Sequence, residues 1–257
     1  MRTSTRDAGP KKAAVFVYYG WLSISPSIVG TIRTLSEHGY AVDVVYLYNE
    51  EQGAFVPDSP NVTAVAVSQH RSRSRRLAAF LRACWNAVKG RQHSVFIGID
   101  PEGIIVAGLL GWLKRVPFAY YSLELLARED VAKTKGIRRL LLRTKKCLEA
   151  YFSRQARVTI VQNNERADIL VKDNGIETGR ILLIPNAYQL GHGNAICSES
   201  SLPKLPYDRK IILHAGSVIP QMCIEEMVSN MNSWPRCTSL LLHAPYATDH
   251  LERIREL

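Results

Sequence analysis

The chain has 257 residues, a hydrophobic content of 46% and a formal net charge of +10. It is longer than one typical domain, and its composition is that of a globular protein rather than a disordered or fibrous one. The longest apolar run, residues 103–113, is too short to cross a bilayer, so we expect a buried helix there and no transmembrane segment. The first apolar stretch, residues 13–19, lacks a signal-peptide cleavage site, so we expect a cytoplasmic protein.

Short segments rich in Val, Ile and aromatic residues recur along the chain and predict buried β-strands. They lie at residues 13–19, 41–47, 62–67, 94–99, 117–121, 157–162 and 181–185. Helical patterns fill most of the intervals, at residues 25–39, 75–90, 101–115, 136–152 and 164–175. This alternation predicts an α/β fold, in which a mainly parallel sheet has helices on both faces.

Residues 187–208 break the pattern with Gly, Ser and Pro and are predicted to form a linker. The alternation then restarts with strands at 210–215 and 239–245 and a helical segment between them. We therefore predict an N-terminal domain over residues 1–186 and an incomplete second domain over residues 209–257. The unpaired edge of this second sheet is expected to favour association.

Positive charge is concentrated at residues 71–76 and 133–146. An anionic membrane surface or a phosphate-bearing substrate would suit such a surface, and a solvated helix face without a partner is an equal alternative. No aromatic residues alternate with these Arg and Lys residues, so we expect no nucleic-acid partner. In the helix over residues 137–152, Leu140, Leu141, Leu148, Tyr151 and Phe152 are expected to face the core, with a membrane-interface face as the alternative.

In sheets of this type the ligand cleft lies beyond the carboxyl ends of the strands. Gly20 follows the first strand and permits close backbone approach, and Ser25 is predicted to cap the next helix. Asp100 follows the fourth strand, where a helix N-cap is favoured over a catalytic carboxylate. Glu124 follows the fifth strand, where it is placed either to hold or deprotonate an acceptor hydroxyl or to be an ordinary surface residue.

In the second unit, Gly216 and Ser217 follow a strand and precede a helix, a weak signal for an anion site. His214, at the end of that strand, is more easily explained as a packed residue than as a general base. The five cysteines form no CxxC pair, and the sequence contains no nicotinamide fingerprint, P-loop, nucleophile elbow or HExxH motif. A cleft served by two Rossmann-like units is the interpretation that remains.

Several segments together resemble the retaining GT-B glycosyltransferases, especially glycosyltransferase family 4. They are FIGIDPEGIIVAG, AYYSLELL, CLEAYFSRQARVTIVQNNERADIL, ILLIPNA, KIILHAGSVIP and SWPRCTSLLLHAP, in that order along the chain. The resemblance covers nearly the whole chain. It implies an N-terminal domain that binds the acceptor and a C-terminal domain that binds a sugar nucleotide.

The resemblance also assigns site residues. It places Gly20 on the loop that faces the donor phosphates and assigns Gly20, Trp21, Asp100 and Glu124 to the acceptor-side cleft. Asn186 matches the family's interdomain hinge. Gly216 and Ser217 fall where the backbone approaches the donor diphosphate.

Three departures from the family pattern stand out. Leu123 occupies a position where many relatives have histidine, and SVIPQMCIEE lacks the Arg and Lys that commonly neutralise the diphosphate. The paired glutamates, seven residues apart in the family, would lie beyond Leu257. The resemblance thus implies a copy truncated in the donor domain.

We therefore expect a hexosyltransferase that moves a sugar from a nucleotide-sugar donor to a saccharide or lipid-linked acceptor, in polysaccharide or glycoconjugate biosynthesis. Catalysis is expected to be largely electrostatic, without a cofactor or a metal ion, and the catalytic residues are not identified. The alternative is a noncatalytic remnant or acceptor-binding subunit, whose partner chain supplies the donor domain. Location on the inner face of the membrane would explain the basic helices.

Overall fold

The computed structural model describes residues 12–22, 25–48, 50, 53–68, 72–186, 210–216, 218, 220–244 and 249–255. The chain divides into two compact units, Met1–Leu190 and Gly191–Leu257. The linker predicted for residues 187–208 lies outside the described residues.

The first unit is a seven-stranded sheet in the order β3-β2-β1-β4-β5-β6-β7, and every described pairing in it is parallel. Its strands are β1 Ala13–Trp21, β2 Ala41–Tyr48, β3 Val62–Ser68, β4 Val95–Ile99, β5 Phe118–Tyr121, β6 Thr159–Val161 and β7 Ile181–Leu183. Its helices are α1 Pro26–Glu37, α2 Arg73–Val88, α3 Asp100–Lys114, α4 Arg128–Lys133, α5 Gly136–Gln155 and α6 Asn164–Asn174. A short 3₁₀ turn, Thr178–Arg180, precedes β7.

The sheet is buried on both faces, which is why its central strands are almost continuously apolar. Phe16 of β1 packs in one cluster with Ile28 and Ile32 of α1. Its neighbours Val15 and Val17 point to the opposite face and pack in a second cluster, which includes residues of α2 and α3. The predicted α/β fold with helices on both faces of a parallel sheet is confirmed.

Two glycines bring α3 close to the sheet. A Cβ atom added at Gly98 of β4 would lie 2.5 Å from the carbonyl oxygen of Gly103, and one added at Gly103 would lie 2.4 Å from the carbonyl oxygen of Val17. Real Cβ atoms do not approach backbone atoms so closely, so both positions require glycine unless the backbone moves. This packing fixes the start of α3 beneath the carboxyl ends of β1 and β4.

The predicted core face of α5 is wrong for four of its five apolar residues. Phe152 is buried, but Leu140 and Leu141 are 63% and 61% exposed, and Leu148 and Tyr151 are also exposed. The helix instead turns Lys146, Glu149, Ala150, Phe152 and Ser153 inward. Nζ of Lys146 lies 3.2 Å from Oε2 of Glu149, and Glu149 and Ser153 accept hydrogen bonds from Tyr120 or Asn174, which offsets the cost of removing these polar groups from water.

The second unit contains two parallel strands, β8 Lys210–Ala215 and β9 Thr238–His243. Two short helices accompany them, α7 Ile224–Ser229 and α8 Asp249–Arg255, together with 3₁₀ turns at Pro220–Met222 and Met231–Ser233. A small apolar cluster of Val218, Ile224, Leu251 and Ile254 joins the helices. The restart of strand and helix predicted after the linker is therefore confirmed.

Candidate functional site

The strand order of the large sheet reverses at β1. The chain runs outward from β1 through β2 to β3 and then returns to β4 on the other side of β1. Loops that leave adjacent strands at such a reversal diverge and open a crevice at the carboxyl edge, where ligands of doubly wound proteins bind. The loops after β1 and β4 flank this crevice, and the loop after β5 is the next along the edge.

The loop after β1 is organised by Tyr18. Its hydroxyl lies 3.1 Å from Oγ of Ser25, which in turn donates to the carbonyl of Trp21 at 3.0 Å. A Cβ atom added at Gly20 would lie 2.4 Å from Cζ of Tyr18, so the absence of a side chain at Gly20 leaves room for the tyrosine ring. Ser25 stands at the N-cap of α1 as predicted, but its hydroxyl makes no capping hydrogen bond.

Trp21 differs from the other predicted residues of the acceptor-side cleft. Its side chain packs against the apolar cluster of β1, β2 and α2. Its carbonyl oxygen accepts the hydroxyl of Ser25. In this arrangement the indole supports the loop through packing.

The predicted N-cap role of Asp100 is wrong, because Ile99 occupies the N-cap position of α3. Asp100 is the first helical residue and has a φ of +59°, a left-handed conformation that side-chain-bearing residues adopt only at a cost. Its Oδ1 instead accepts the backbone N–H groups of Leu123 and Glu124, at 2.8 and 2.7 Å. The carboxylate thereby ties the start of α3 to the loop after β5.

Burial at the carboxyl edge of the sheet raises the pKa values of Asp100 and Tyr18. Burial raises the pKa of Asp100 to about 7, although the two backbone hydrogen bonds oppose the shift and the charges of Glu124 and Glu102 add to it. Burial likewise raises the pKa of Tyr18 to about 12, with smaller contributions from Asp100 and Glu124. Tyr18, Asp100 and Glu124 are therefore close enough to influence one another electrostatically.

The loop after β5 is held from the β6 side as well. Nε2 of Gln162 donates to the carbonyl of Ser122 at 2.8 Å, and the Arg166 guanidinium donates to the carbonyl of Leu123. Glu124 itself is exposed. Because its backbone is held by Asp100 and the adjoining residues by Gln162 and Arg166, its side chain projects from a fixed loop.

The sequence did not indicate the unsatisfied polar groups near this edge. Among the described residues, the Tyr121 hydroxyl and Oε1 of Gln162 are buried without a hydrogen-bond partner. These residues are the last of β5 and the first after β6. Buried unpaired polar atoms are uncommon in proteins. A tyrosine at the end of an apolar strand, such as Tyr121, does not indicate from sequence that its hydroxyl will lack a partner.

The remaining predicted residues lie away from this cluster or in the second unit. Asn186 is exposed, three residues after β7 ends at Leu183. Gly216 follows β8 with a φ of +154°, which favours glycine, and donates its N–H to the carbonyl of His243 at 3.0 Å. Ser217 lies outside the described residues. The helix after them, α7, has only six residues and begins at Ile224.

In the part of the chain that the structure describes, no group of three or more His, Cys, Asp and Glu side chains is arranged to hold a metal ion. No described helix combines the length and the apolar character that a membrane span requires.

The comparisons with known proteins agree on the fold. The family described as "Glycosyl transferase 4-like domain" matches residues 24–187. No curated protein matches the chain. Among solved structures, sucrose-phosphate synthase from Thermosynechococcus elongatus has a TM-score of 0.65 at 16% identity, with 96% of this chain and 66% of that chain covered.

Two more solved structures show the same likeness. Anabaena HepE in complex with UDP and glucose has a TM-score of 0.64 at 11% identity, covering 96% of this chain and 65% of that chain. The lipopolysaccharide outer core galactosyltransferase WaaB has a TM-score of 0.56 at 10% identity, covering 95% and 63%. The chain thus spans about two thirds of the length of these proteins, and it has the GT-B fold that the resemblance implied.

Proposed function

Because the chain belongs to the Glycosyl transferase 4-like domain family, we propose that it acts in glycosyl transfer, as a hexosyltransferase. The donor in this proposal is a nucleotide sugar, and the acceptor is a saccharide or a lipid-linked saccharide of polysaccharide or glycoconjugate biosynthesis. Support for the donor class comes from HepE, which is described in complex with UDP and glucose. WaaB, described as a galactosyltransferase, supports the hexosyl class.

The observation that carries the proposal is the link between Asp100 and the loop of Glu124 at the reversal of strand order. One carboxylate oxygen of Asp100 holds the backbone of this loop. The other, Oδ2, has no hydrogen-bond partner among the described residues and is therefore available to a ligand hydroxyl. A left-handed conformation at a residue other than glycine is a strain that proteins often retain where it serves a site.

The proposed chemistry needs positioning and charge more than a strong base. The bond between the anomeric carbon and the donor diphosphate breaks, a bond from the acceptor oxygen forms, and the acceptor hydroxyl loses its proton. A carboxyl group with a pKa of about 7 suits the holding and removal of that proton near neutral pH. We assign this acceptor-side role to Asp100 and Glu124, and we propose that Gly20 allows the Tyr18 ring to shape the same crevice.

On the donor side, we propose that Gly216 and Ser217 bind the donor diphosphate and that the backbone of Gly216 approaches it. The φ of +154° at Gly216 would be strained for any other residue, which favours a functional or a turn-forming reason for glycine there. Asn186 is proposed as the hinge between the two units. No metal ion or cofactor enters the proposed reaction.

We further propose a peripheral membrane location, which would bring the site to a lipid-linked acceptor. Ile137, Leu140 and Leu141 of α5 are 78%, 63% and 61% exposed, and Arg138 and Arg139 lie between them in sequence. Exposed apolar side chains next to cations suit the interface of an anionic bilayer. Flotation with vesicles that do or do not contain anionic lipid tests this location, and the absence of binding at low salt would rule it out.

The transfer reaction is tested on the purified chain with UDP-, GDP- and ADP-sugars and a panel of saccharide and glycolipid acceptors. We expect nucleoside diphosphate to be released in an acceptor-dependent manner. Glu124→Gln is expected to lower turnover by about 10². Asp130→Asn serves as the control, since Asp130 is an exposed carboxylate on α4.

Binding measurements separate the proposal from its alternative. Saccharide binding without nucleotide-sugar binding or turnover would favour a noncatalytic acceptor-binding subunit that depends on a partner chain. Absence of both kinds of binding would contradict the proposed function altogether. Saturation-transfer NMR reports each ligand separately, because it detects the ligand's own protons.

A further inference from the structure

Helices α4, α5 and α6 line a cavity of about 540 Å³ that shares no residue with the site described above. This volume lies within the roughly 300–1,000 Å³ typical of small-molecule sites. The lining residues are Arg128, Val131, Ala132, Arg139, Arg143, Lys146, Cys147, Ala150, Arg154 and Asn174.

The charge of this lining is entirely positive. Arg128, Arg139, Arg143, Lys146 and Arg154 contribute cations, and no lining residue is acidic. Four of the five belong to α5, at intervals of four, three and eight residues, which places them on one stripe of the helix. Like charges at such spacings repel one another, and an anion between them would relieve this repulsion.

The floor of the cavity is a buried polar group. Lys146 is only 5% exposed, and its Nζ lies 3.2 Å from Oε2 of Glu149, without hydrogen-bond geometry to any described residue. The other oxygen of Glu149 already accepts the hydroxyl of Tyr120 at 2.7 Å and Nδ2 of Asn174 at 3.3 Å. The Nζ atom itself is buried, so Lys146 would act on a ligand in the cavity through its nearby positive charge rather than through a direct hydrogen bond.

Two buried carboxylates beside this cavity are already engaged. Glu149 is fully buried and is paired as described above. Asp173 is also buried, and its Oδ2 accepts the backbone N–H of Arg128 at 2.8 Å. The exposed guanidinium groups of Arg139 and Arg143 at the rim are therefore not neutralised by these two carboxylates.

We propose that this cavity binds a phosphate-bearing anion, with Lys146 at its floor and the guanidinium groups of Arg139 and Arg143 at its rim. A guanidinium group can donate two parallel hydrogen bonds to two phosphate oxygens. The volume of the cavity accommodates a phosphate with an attached organic group. The apolar side chains of Val131, Ala132 and Ala150 would contact that group. The inference is independent of the proposed transfer reaction, since no cavity residue belongs to the acceptor-side or donor-side sites; Arg139 alone is shared with the proposed membrane face.

Cys147 provides a direct readout because it lines the cavity and is exposed. The full chain is treated with a maleimide in the presence of increasing inorganic pyrophosphate, and labelling is followed for each cysteine by peptide mass spectrometry. At a concentration ten times the dissociation constant, we expect the labelling of Cys147 to slow by about tenfold. Cys223, an exposed cysteine of the second unit, is the internal control and is expected to react at an unchanged rate.

Matched variants separate the cavity from general positive charge. Arg139→Gln combined with Arg143→Gln is expected to raise the half-protecting concentration by about tenfold or more, because two charge-assisted hydrogen bonds are lost. Arg138→Gln is the control, since Arg138 is an exposed neighbour on α5 that does not line the cavity. These arginines are exposed, so the variants should fold, which circular dichroism verifies.

A second arm identifies the source of the phosphate. Vesicles of phosphatidylcholine with phosphatidic acid are compared with vesicles of phosphatidylcholine alone. If pyrophosphate protects Cys147, the proposal is supported and the ligand is a soluble phosphate compound. If only the vesicles with phosphatidic acid protect it, the proposal is supported and the ligand is a lipid headgroup. The proposal is overturned if neither probe protects Cys147, or if Arg138→Gln weakens protection by pyrophosphate as much as the double variant does.

Discussion

The Oδ1 atom of Asp100 accepts the backbone N–H of Glu124 at 2.7 Å, so the first residue of α3 holds the loop that follows β5. Two costs accompany this arrangement: the left-handed φ of +59° at Asp100, and the burial that raises its pKa to about 7. The second cost depends on the charge of the carboxylate, so it can be measured by removing that charge.

The first prediction concerns Asp100→Asn and pH. Burial raises the pKa of Asp100 from 3.8 to about 7 in the folded chain, so the folded state holds a proton that the unfolded state has released. The free energy of unfolding should therefore fall as pH rises from about 4 to about 7 and change little above that. An asparagine carries no charge and can still accept both N–H groups, so the variant should lack this decline and be more stable at pH 8, by up to about 4 kcal/mol.

Urea unfolding followed by tryptophan fluorescence at pH 4.5, 6 and 8 checks this prediction. Asp130→Asn is the control, because the Asp130 side chain is 63% exposed. If Asp100→Asn and the unmodified chain lose stability in parallel across this range, burial of Asp100 is not the source of the pH dependence.

The second prediction concerns the contact between α3 and β4. Gly98→Ala should destabilise the first unit by about 3 kcal/mol or more, because the new Cβ atom would lie 2.5 Å from backbone atoms of Gly103 and Ile104. Gly30→Ala is a matched control within α1, where nothing lies within 4 Å of the added atom. That control should gain about 0.5–1 kcal/mol from helix propensity. Thermal unfolding of both variants is the measurement, and equal melting temperatures would contradict the close approach.

The third prediction concerns Gly20 and Tyr18. Gly20→Ala should cost about 1–3 kcal/mol, because the new methyl group overlaps the Tyr18 ring and separates its hydroxyl from Ser25. Tyr18→Ala removes the ring, so Gly20→Ala should cost much less in that background. A double-mutant cycle measured by urea unfolding gives the coupling energy. Additive effects of the two changes would show that the ring and Gly20 do not depend on each other.

Much of the fold could be predicted from local pattern. The strand predicted at 210–215 matches β8, Lys210–Ala215, and the helix predicted at 164–175 matches α6, Asn164–Asn174, within a residue. These elements are short apolar runs or capped amphipathic segments, whose structure depends on nearby residues. The helix α4, Arg128–Lys133, was not predicted, because six residues give too little periodicity to recognise.

The site was less predictable than the fold. Position after a strand was enough to select Asp100 and Glu124, but the N-cap assignment of Asp100 was wrong because its carboxylate bonds to a loop 23 and 24 residues away. The residues around Asp100 in sequence do not indicate a hydrogen-bond partner so far along the chain. The same holds for α5, where a leucine-rich pattern predicted a core face, while long-range pairing of Glu149 with Tyr120 and Asn174 turned a polar face inward.

The last prediction tests this inward polar face. Lys146→Met should destabilise the chain by about 3–5 kcal/mol, because Glu149 would remain fully buried without the ammonium group 3.2 Å away. Adding Glu149→Gln should recover a large part of that loss, since glutamine is uncharged and its Oε1 still accepts the Tyr120 hydroxyl. Lys133→Met is the control, because Lys133 pairs with Asp130 at the surface and is 76% exposed, where ion pairs contribute little. Urea unfolding at neutral pH measures all three variants, and a cost below about 1 kcal/mol for Lys146→Met would show that Glu149 does not depend on its lysine.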